Sequence, residues 1–249
     1  MDISGNTILI TGGNSGIGLG LAKAFHAAGN KVIIAGRRAE PLAEIADAHP
    51  GMSWLLVDMA DAHSIGALAH EVLRTHPDFN VIVNNAGIMR PEILLSDPID
   101  LAASEEQVAV NLLGPIRLSA ALLPHLRQQP RAALINVTSG LAFVPMAMVP
   151  TYCATKAAVH SYTQSLRQQL AGSSVQVIEI APPAVATNLM PHDENGPQAM
   201  PLHDFIDATM QILRDNPDAH EILVDKVKPL RNAEATGQFS ALFAMINGA

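Results

Sequence analysis

ILITGGNSGIGLGLAKAF, residues 8–25, carries a short apolar run through a glycine-rich turn into an amphipathic segment. Gly12, Gly16 and Gly18 fall in a GxxxGxG spacing, with Asn14, Ser15 and Ile17 between them. Glycines permit a sharp turn and a close approach of backbone to ligand, and the start of a helix presents unpaired N–H groups with a partial positive charge. Such a turn suits a pyrophosphate. Glycines that only join a strand to a helix would share the spacing, and the surrounding chain separates the two cases: within a βαβ unit the turn is a dinucleotide site.

Outward from this turn, short apolar runs alternate with longer amphipathic segments. Strands are expected at 7–11, 31–35, 53–57, 80–84, 132–138, 174–180 and 221–225, with helices near 17–28, 40–48, 62–75, 101–127, 151–171 and 202–214. Right-handed crossovers place helices on both faces, which predicts an α/β, doubly wound Rossmann fold whose seven parallel strands run in the order 3-2-1-4-5-6-7. No linker or shift of composition divides the 249 residues, so 1–249 reads as one domain. In such sheets ligands bind at the carboxyl ends of the strands, and each candidate residue can be tested against that edge.

Composition narrows the function. Hydrophobic residues make up 49% and charged residues 15%, enough for a large core and too little charge for a disordered chain. A formal charge of −8 argues against a general nucleic-acid binder, which needs a basic surface. The N-terminus reads as a strand entry and not a signal peptide, and no uncharged apolar stretch reaches the ~18–20 residues that span a bilayer. A soluble, cytoplasmic protein is expected, with no membrane insertion. Cys153 is the single cysteine, which removes intramolecular disulfides and Cys-rich zinc sites and leaves it a packing role. His192, Asp193 and Glu194 read as a solvated loop, and no metal is expected.

The second strand separates the two nicotinamide cofactors. A ribose 2′-hydroxyl wants an acidic acceptor at its end, but this chain has Gly36, then Arg37 and Arg38. A guanidinium suits a 2′-phosphate, so NADP(H) is favoured over NAD(H), with Arg37 the stronger candidate. Asp58, followed by Met59, ends the third strand, where its carboxylate can meet an adenine amino group; Asp61 fits a helix cap better. Asn84-Asn85-Ala86-Gly87 follows the fourth strand, with Asn85, Ala86 and Gly87 as cofactor contacts.

The fifth strand delivers Thr138 and Ser139 to the same edge, where a serine hydroxyl can donate to a substrate carbonyl oxygen. Thirteen residues later, TYCATKAAVHSY (151–162) places Tyr152 and Lys156 four apart, on one helical face. An ammonium ~4 Å from a phenol, at an effective dielectric near 20, is worth about 4 kcal/mol, or about 3 pKa units, toward working pH. A surface tyrosine beside a solvated lysine would show the same spacing. Asn111, in VAVNLLGP, is a mid-helix polar residue that can hold a water near the lysine.

Together these positions resemble the short-chain dehydrogenase/reductase family over nearly the whole chain. TGGNSGIG matches its cofactor motif and NNAG its fourth-strand motif, while Asn111, Ser139, Tyr152 and Lys156 match its catalytic tetrad. The resemblance implies that the tyrosine moves the substrate proton, that the lysine lowers its pKa and binds the nicotinamide ribose, and that serine orients the substrate oxygen. The asparagine would support a water-linked proton relay. Where the family usually has Pro-Gly, this chain reads APPAVATNL, with Pro182, Pro183, Val185 and Thr187. Proline fixes φ and lacks an N–H, so the local backbone is expected to differ, with Pro182, Val185 and Thr187 still contacting cofactor. VTSGLAF, YCATKAA and IEIAPPAV resemble a branch named for D-alanine esterification of teichoic acids, and no substrate is carried over from that label.

Substrate contacts are expected from Met89, Leu141, Phe143, Met146, Met148, Val149, Leu189 and Met190, a mostly apolar set that suits a medium-sized ketone. Residues 188–201 mix proline, glycine and polar residues as a loop over the site would. The helices near 101–127 and 151–171 carry apolar residues beyond one stripe, as a homodimer or homotetramer interface would. The expected activity is reversible hydride transfer between NADP(H) and a carbonyl or alcohol, as a carbonyl reductase. A non-catalytic dinucleotide sensor and an epimerase or dehydratase are the alternatives.

Overall fold

The computed structural model describes residues 1–190 and 199–248. β1 (Thr7–Thr11) leads into α1 (Gly16–Ala27), β2 (Lys31–Gly36) into α2 (Ala39–Ala48), and β3 (Met52–Leu56) into α3 (Ala62–Thr75). The second half begins with β4 (Val81–Asn84), α4 (Ala102–Val108) and α5 (Gly114–Leu126), followed by β5 (Ala132–Val137) and α6 (Pro150–Gln169). It closes with β6 (Val175–Ile180), α7 (Leu202–Asp215), β7 (Glu221–Ile222), α8 (Lys228–Arg231) and α9 (Phe239–Asn247). The strands form one sheet in the order β3-β2-β1-β4-β5-β6-β7, every pair parallel. This is the expected doubly wound topology.

Alternation along β1 shows how the sheet is covered on both sides. Ile8 and Ile10 join a core with Leu21 and Phe25 of α1 and Phe205 of α7. Leu9 points the other way, into a core with Leu68 of α3 and Leu118 and Leu122 of α5. All of these side chains are at most 2% exposed. At roughly 1.5–3 kcal/mol for each large apolar side chain buried, the two layers carry much of the stabilisation that opposes chain entropy.

Three features differ from the sequence reading. The helix expected over 101–127 is broken by a π-turn at Ala109–Leu113, where the Gly114 N–H donates to the Ala109 carbonyl. Pro115 cannot donate an N–H to the turn before it, and Gly114 packs so close to Met59 that a Cβ would lie 2.8 Å from the Met59 carbonyl oxygen. The last strand is two residues long, shorter than the expected 221–225. Two helices after it, α8 and α9, were absent from the sequence reading. Residues 102–126 are apolar and long enough by composition to cross a membrane, yet Leu118, Leu122 and Leu126 are fully buried against the protein.

Candidate active site

At the carboxyl edge of the sheet lies a cavity of about 550 Å³ running from the β1–α1 turn to the C-terminal helix. Its first end is made of backbone. Gly12 has φ +68°, open to glycine, and a Cβ there would stand 2.9 Å from Ala86 Cα. A Cβ on Gly18 would meet the Gly12 carbonyl oxygen at 2.3 Å and Asn85 Nδ2 at 2.4 Å. Asn85 is held in place by donating Nδ2–H to the Thr11 carbonyl at 2.9 Å, while Thr11 Oγ1 accepts from the backbone N–H groups of Asn85 and Ala86, both at 3.1 Å. The glycine turn and the NNAG turn are therefore one interlocked unit, and Thr11 is a part of it that the sequence reading missed.

Around this unit the cavity is lined by Gly12, Asn14, Ser15, Gly16, Ile17 and Gly18. Ser15 stands before α1 in extended conformation without a side-chain cap bond, so it leaves the first amides of the helix open to a ligand. Arg37 and Arg38 line the same end beside Gly36. Arg37 makes only a loose 3.9 Å pair with Glu106, both side chains well exposed, which is worth little and leaves the guanidinium free to turn. Asp58 and Met59 line the wall, with Asp58 Oδ1 accepting from Ala60 N–H at 2.9 Å. Asp61 caps α3, accepting from His63 N–H, as its position suggested. A cradle that admits no Cβ and an open helix start fit the pyrophosphate of a nicotinamide dinucleotide, and two arginines stand beside them.

Ser139, Tyr152 and Lys156 line the same cavity, as do Asn85, Ala86 and Gly87. Lys156 Nζ donates to the Val137 carbonyl at 2.8 Å and lies 5.6 Å from the centroid of the Tyr152 ring. The two side chains are each 5% exposed. Burial pushes the Tyr152 phenol up to about 12, with the contacting Ser139 side chain pulling it the other way. Burial lowers Lys156 to about 8. The sequence expectation of a phenol drawn down by its lysine is therefore corrected: the cost of taking a phenolate out of water is the largest influence on the group. Below about pH 8 the lysine still carries its proton, so it faces the Tyr152 ring as an ammonium.

Asn111 sits in the π-turn, 1% exposed and behind the cavity wall. Its Oδ1 accepts from Ile88 N–H at 2.9 Å, and its Nδ2 donates to the Ile88 carbonyl at 2.8 Å and to Thr155 Oγ1 at 3.3 Å. It thus clamps the segment after β4 to α6. A Cβ on Gly87 would stand 3.3 Å from Asn111 Oδ1 and 3.6 Å from Lys156 Nζ, so this position lies beside both side chains.

At the far end the walls are side chains. Met89, Leu141, Met146, Leu189 and Met190 line the cavity as expected from their types. Phe143 and Met148 do not. Phe143 instead packs edge-on to His160, with centroids 4.8 Å apart, and under Arg231 at 4.9 Å, because the 3₁₀ turn Gly140–Ala142 rotates it away. Met148 is 48% exposed, and Val149 is buried behind Tyr152 and Cys153. Cys153 is itself buried and contacts the Met146 backbone, a packing arrangement.

Leu230 and Ile246 complete the wall. Asn247 tethers α9 by accepting from Ala147 N–H at 2.6 Å and donating to the Pro145 carbonyl at 3.2 Å. Sequence periodicity gave no signal for these contacts, because they depend on where the chain end folds back.

After β6, Pro182, Val185 and Thr187 line the cavity together with Pro183. The Pro182 carbonyl accepts from Gly140 N–H at 2.8 Å, and the chain turns into a parallel bridge between Val185 and Met200. Among the described residues no non-glycine has positive φ, so Pro183 adopts a conformation open to proline. His192, Asp193 and Glu194, and most of the 188–201 loop, lie outside the described residues.

Four similarities bear on this arrangement. A family model described as short chain dehydrogenase matches residues 6–197. An uncharacterized oxidoreductase, DltE, of Bacillus subtilis (strain 168) is 40% identical, the match covering 99% of this chain and 98% of the relative. Among solved structures, a short chain dehydrogenase from Burkholderia cenocepacia J2315 in complex with NADP superposes with a TM-score of 0.82 at 26% identity, covering 99% of each chain. A short-chain dehydrogenase from Sphingobium yanoikuyae in complex with NADPH shares the fold, with a TM-score of 0.79 at 24% identity, covering 96% of this chain and 95% of that one.

Proposed function

The chain belongs to the short-chain dehydrogenase/reductase family of oxidoreductases, and from that premise we propose that it interconverts a carbonyl and an alcohol with NADP(H), preferred over NAD(H). The observation that carries the reading is one cavity lined by a Cβ-excluding glycine cradle at one end and by Ser139, Tyr152 and Lys156 in its middle. Gly12, Gly16 and Gly18 would hold the pyrophosphate, Arg37 and Arg38 the 2′-phosphate, and Lys156 the nicotinamide ribose. The bound nicotinamide supplies or accepts hydride. Tyr152 Oη gives the proton to the carbonyl oxygen or takes it from the alcohol, Ser139 Oγ holds that oxygen, and the Lys156 ammonium steadies the phenolate that remains. Asn111 keeps the facing segment in register.

Reduction is the favoured direction, since a 2′-phosphate site selects the cofactor that commonly serves as reductant. The apolar wall of Met89, Leu141, Met146 and Leu189 suits a medium-sized apolar ketone. The test is an NADPH-oxidation screen over aliphatic, aryl and β-keto ester carbonyls, run beside Tyr152→Phe. Turnover by the wild type, falling by about 10²–10⁴ in the variant, is expected from the loss of a general acid. Equal turnover by the two proteins would remove Tyr152 from the chemistry.

A further inference from the structure

Glu179, on β6, is fully buried, and the proton transfer just described does not use it. A carboxylate taken out of water is costly unless both oxygens are satisfied. Here each oxygen reaches a different element of the active site. Thr138 Oγ1 donates to Oε1 at 2.6 Å, and Thr138 immediately precedes Ser139. His160 Nδ1 donates to Oε2 at 2.7 Å, and His160 lies four residues beyond Lys156 and eight beyond Tyr152, on the same face of α6. One carboxylate thus ties the strand end that carries the serine to the helix that carries the tyrosine.

Its surroundings hold it there. Glu221 of β7 brings a carboxylate oxygen within 4.8 Å of the His160 and Glu179 atoms. Arg231 of α8 binds Glu221 with two hydrogen bonds, at 3.0 and 2.9 Å, and its guanidinium covers Phe143, whose ring stands against His160. The charges facing Glu179 are therefore Arg231, Glu221 and, when protonated, His160. The His160, Glu179 and Glu221 trio has the spacing of a metal site, but Arg231 already supplies the cation. The same C-terminal segment presses on the serine turn: a Cβ on Gly140 would meet Leu230 Cδ1 at 2.8 Å and Val227 Cγ2 at 3.1 Å.

We propose that Glu179, with Thr138 and His160, is a positioning group that sets Ser139 against Tyr152. The role rests on the carbonyl-reductase reading above. It acts through distance alone: misplacing an orienting hydroxyl by a fraction of an ångström costs catalysis while leaving the cofactor end untouched.

The test is a double-mutant cycle between Glu179→Gln and Ser139→Ala, with Thr138→Val as a second probe of the same link. Glu179→Gln keeps the size of the side chain and is expected to lower kcat by about 10-fold, with the KM for NADPH unchanged. In the Ser139→Ala background the same substitution should have almost no further effect, because the group it positions is gone. Amide exchange should accelerate at Gly140 and Leu141, which bond to the Pro182 carbonyl and Ser139 Oγ, but not at Ile135 in mid-strand. Thr138→Val should reproduce the kcat loss if Glu179→Gln does not fold. Additive effects, or faster exchange everywhere, would mean that Glu179 only stabilises the fold and would overturn the proposal. A wild type with no carbonyl turnover would overturn the carbonyl-reductase reading and this role together; turnover with additivity removes this role alone.

Discussion

At the β1–α1 end of the cavity the glycine turn is closed by main chain: Gly12 lies against Ala86, and Gly18 against Gly12, at distances that exclude a further side chain. At the opposite end, Leu141, Met146, Leu230 and Ile246 form the wall with side chains contributed by three separate stretches. A backbone cannot move aside without unravelling the strands that set it, whereas a methionine or isoleucine can repack. The first end therefore tolerates almost nothing and recognises a fixed ligand. The second can be reshaped without loss of the fold, which is what a specificity pocket requires.

The sharpest way to break this contrast is Gly18→Ala. The new Cβ would fall 2.3 Å from the Gly12 carbonyl oxygen, and the turn would have to open. At an overpacking cost of about 1–3 kcal/mol, NADPH affinity should drop by roughly 10- to 100-fold in titration calorimetry. Retained affinity would show that the cradle is looser than its contacts imply.

Lys156, between the two ends, should trade stability for function. Its folded pKa of about 8 lies below the ordinary 10.5, so the unfolded chain holds the proton more tightly across that window. Stability should accordingly rise as pH climbs from about 8 to 10.5, with the full cost of burying the ammonium present below about 8. Tyr152 works in the opposite sense. Its folded pKa of about 12 exceeds 10.0, so stability is lost as pH rises above 10. Lys156→Met should thus be more stable than wild type at pH 7, by about 2 kcal/mol once the lost hydrogen bond to Val137 is discounted, and inactive. Denaturant titration at pH 7 and pH 10 checks the lysine's sign, and a further fall in stability above pH 10 checks the tyrosine's; a variant less stable than wild type at pH 7 would contradict the burial argument.

Smaller effects sharpen the division. Arg37→Ala should raise the KM for NADPH by about 10-fold while leaving that for NADH nearly unchanged, as expected for one charge-assisted contact. Equal changes would move the phosphate contact elsewhere. At the far end, Ile246→Ala should shift relative kcat/KM among ketones of different length by up to about 10-fold, the worth of a methylene or two. Met148→Ala, at an exposed side chain outside the cavity wall, should leave those ratios alone.

Legibility in the sequence divides along the same line. The strands, the alternation of their two faces and the glycines of the turn are marked locally, in period-two apolar runs and in glycines at fixed offsets, so a linear reading reaches them. Tyr152 and Lys156 could be paired because helical geometry is known in advance. The π-turn at Asn111 was not visible, because its cause includes the contact of Gly114 with Met59, far away in sequence. Phe143 and Met148 look like any other apolar residues in a substrate loop, and only the folded chain separates them from Leu141 and Met146.

By itself, then, the sequence determined the alternation of strands and helices, the glycine-rich turn and the pairing of Tyr152 with Lys156 on one helical face, since each depends on neighbours within a few positions. Tertiary structure alone decided the protonation balance of Tyr152 and Lys156, which is set by how completely they are buried. It also decided the place of Glu179, a glutamate that reads from the chain as an ordinary strand residue. Bonds from Thr138 and His160, 41 and 19 residues away, give it a position beside the chemistry. Interactions over such separations carry no local pattern, because they exist only once the sheet has closed and water has been excluded from around them.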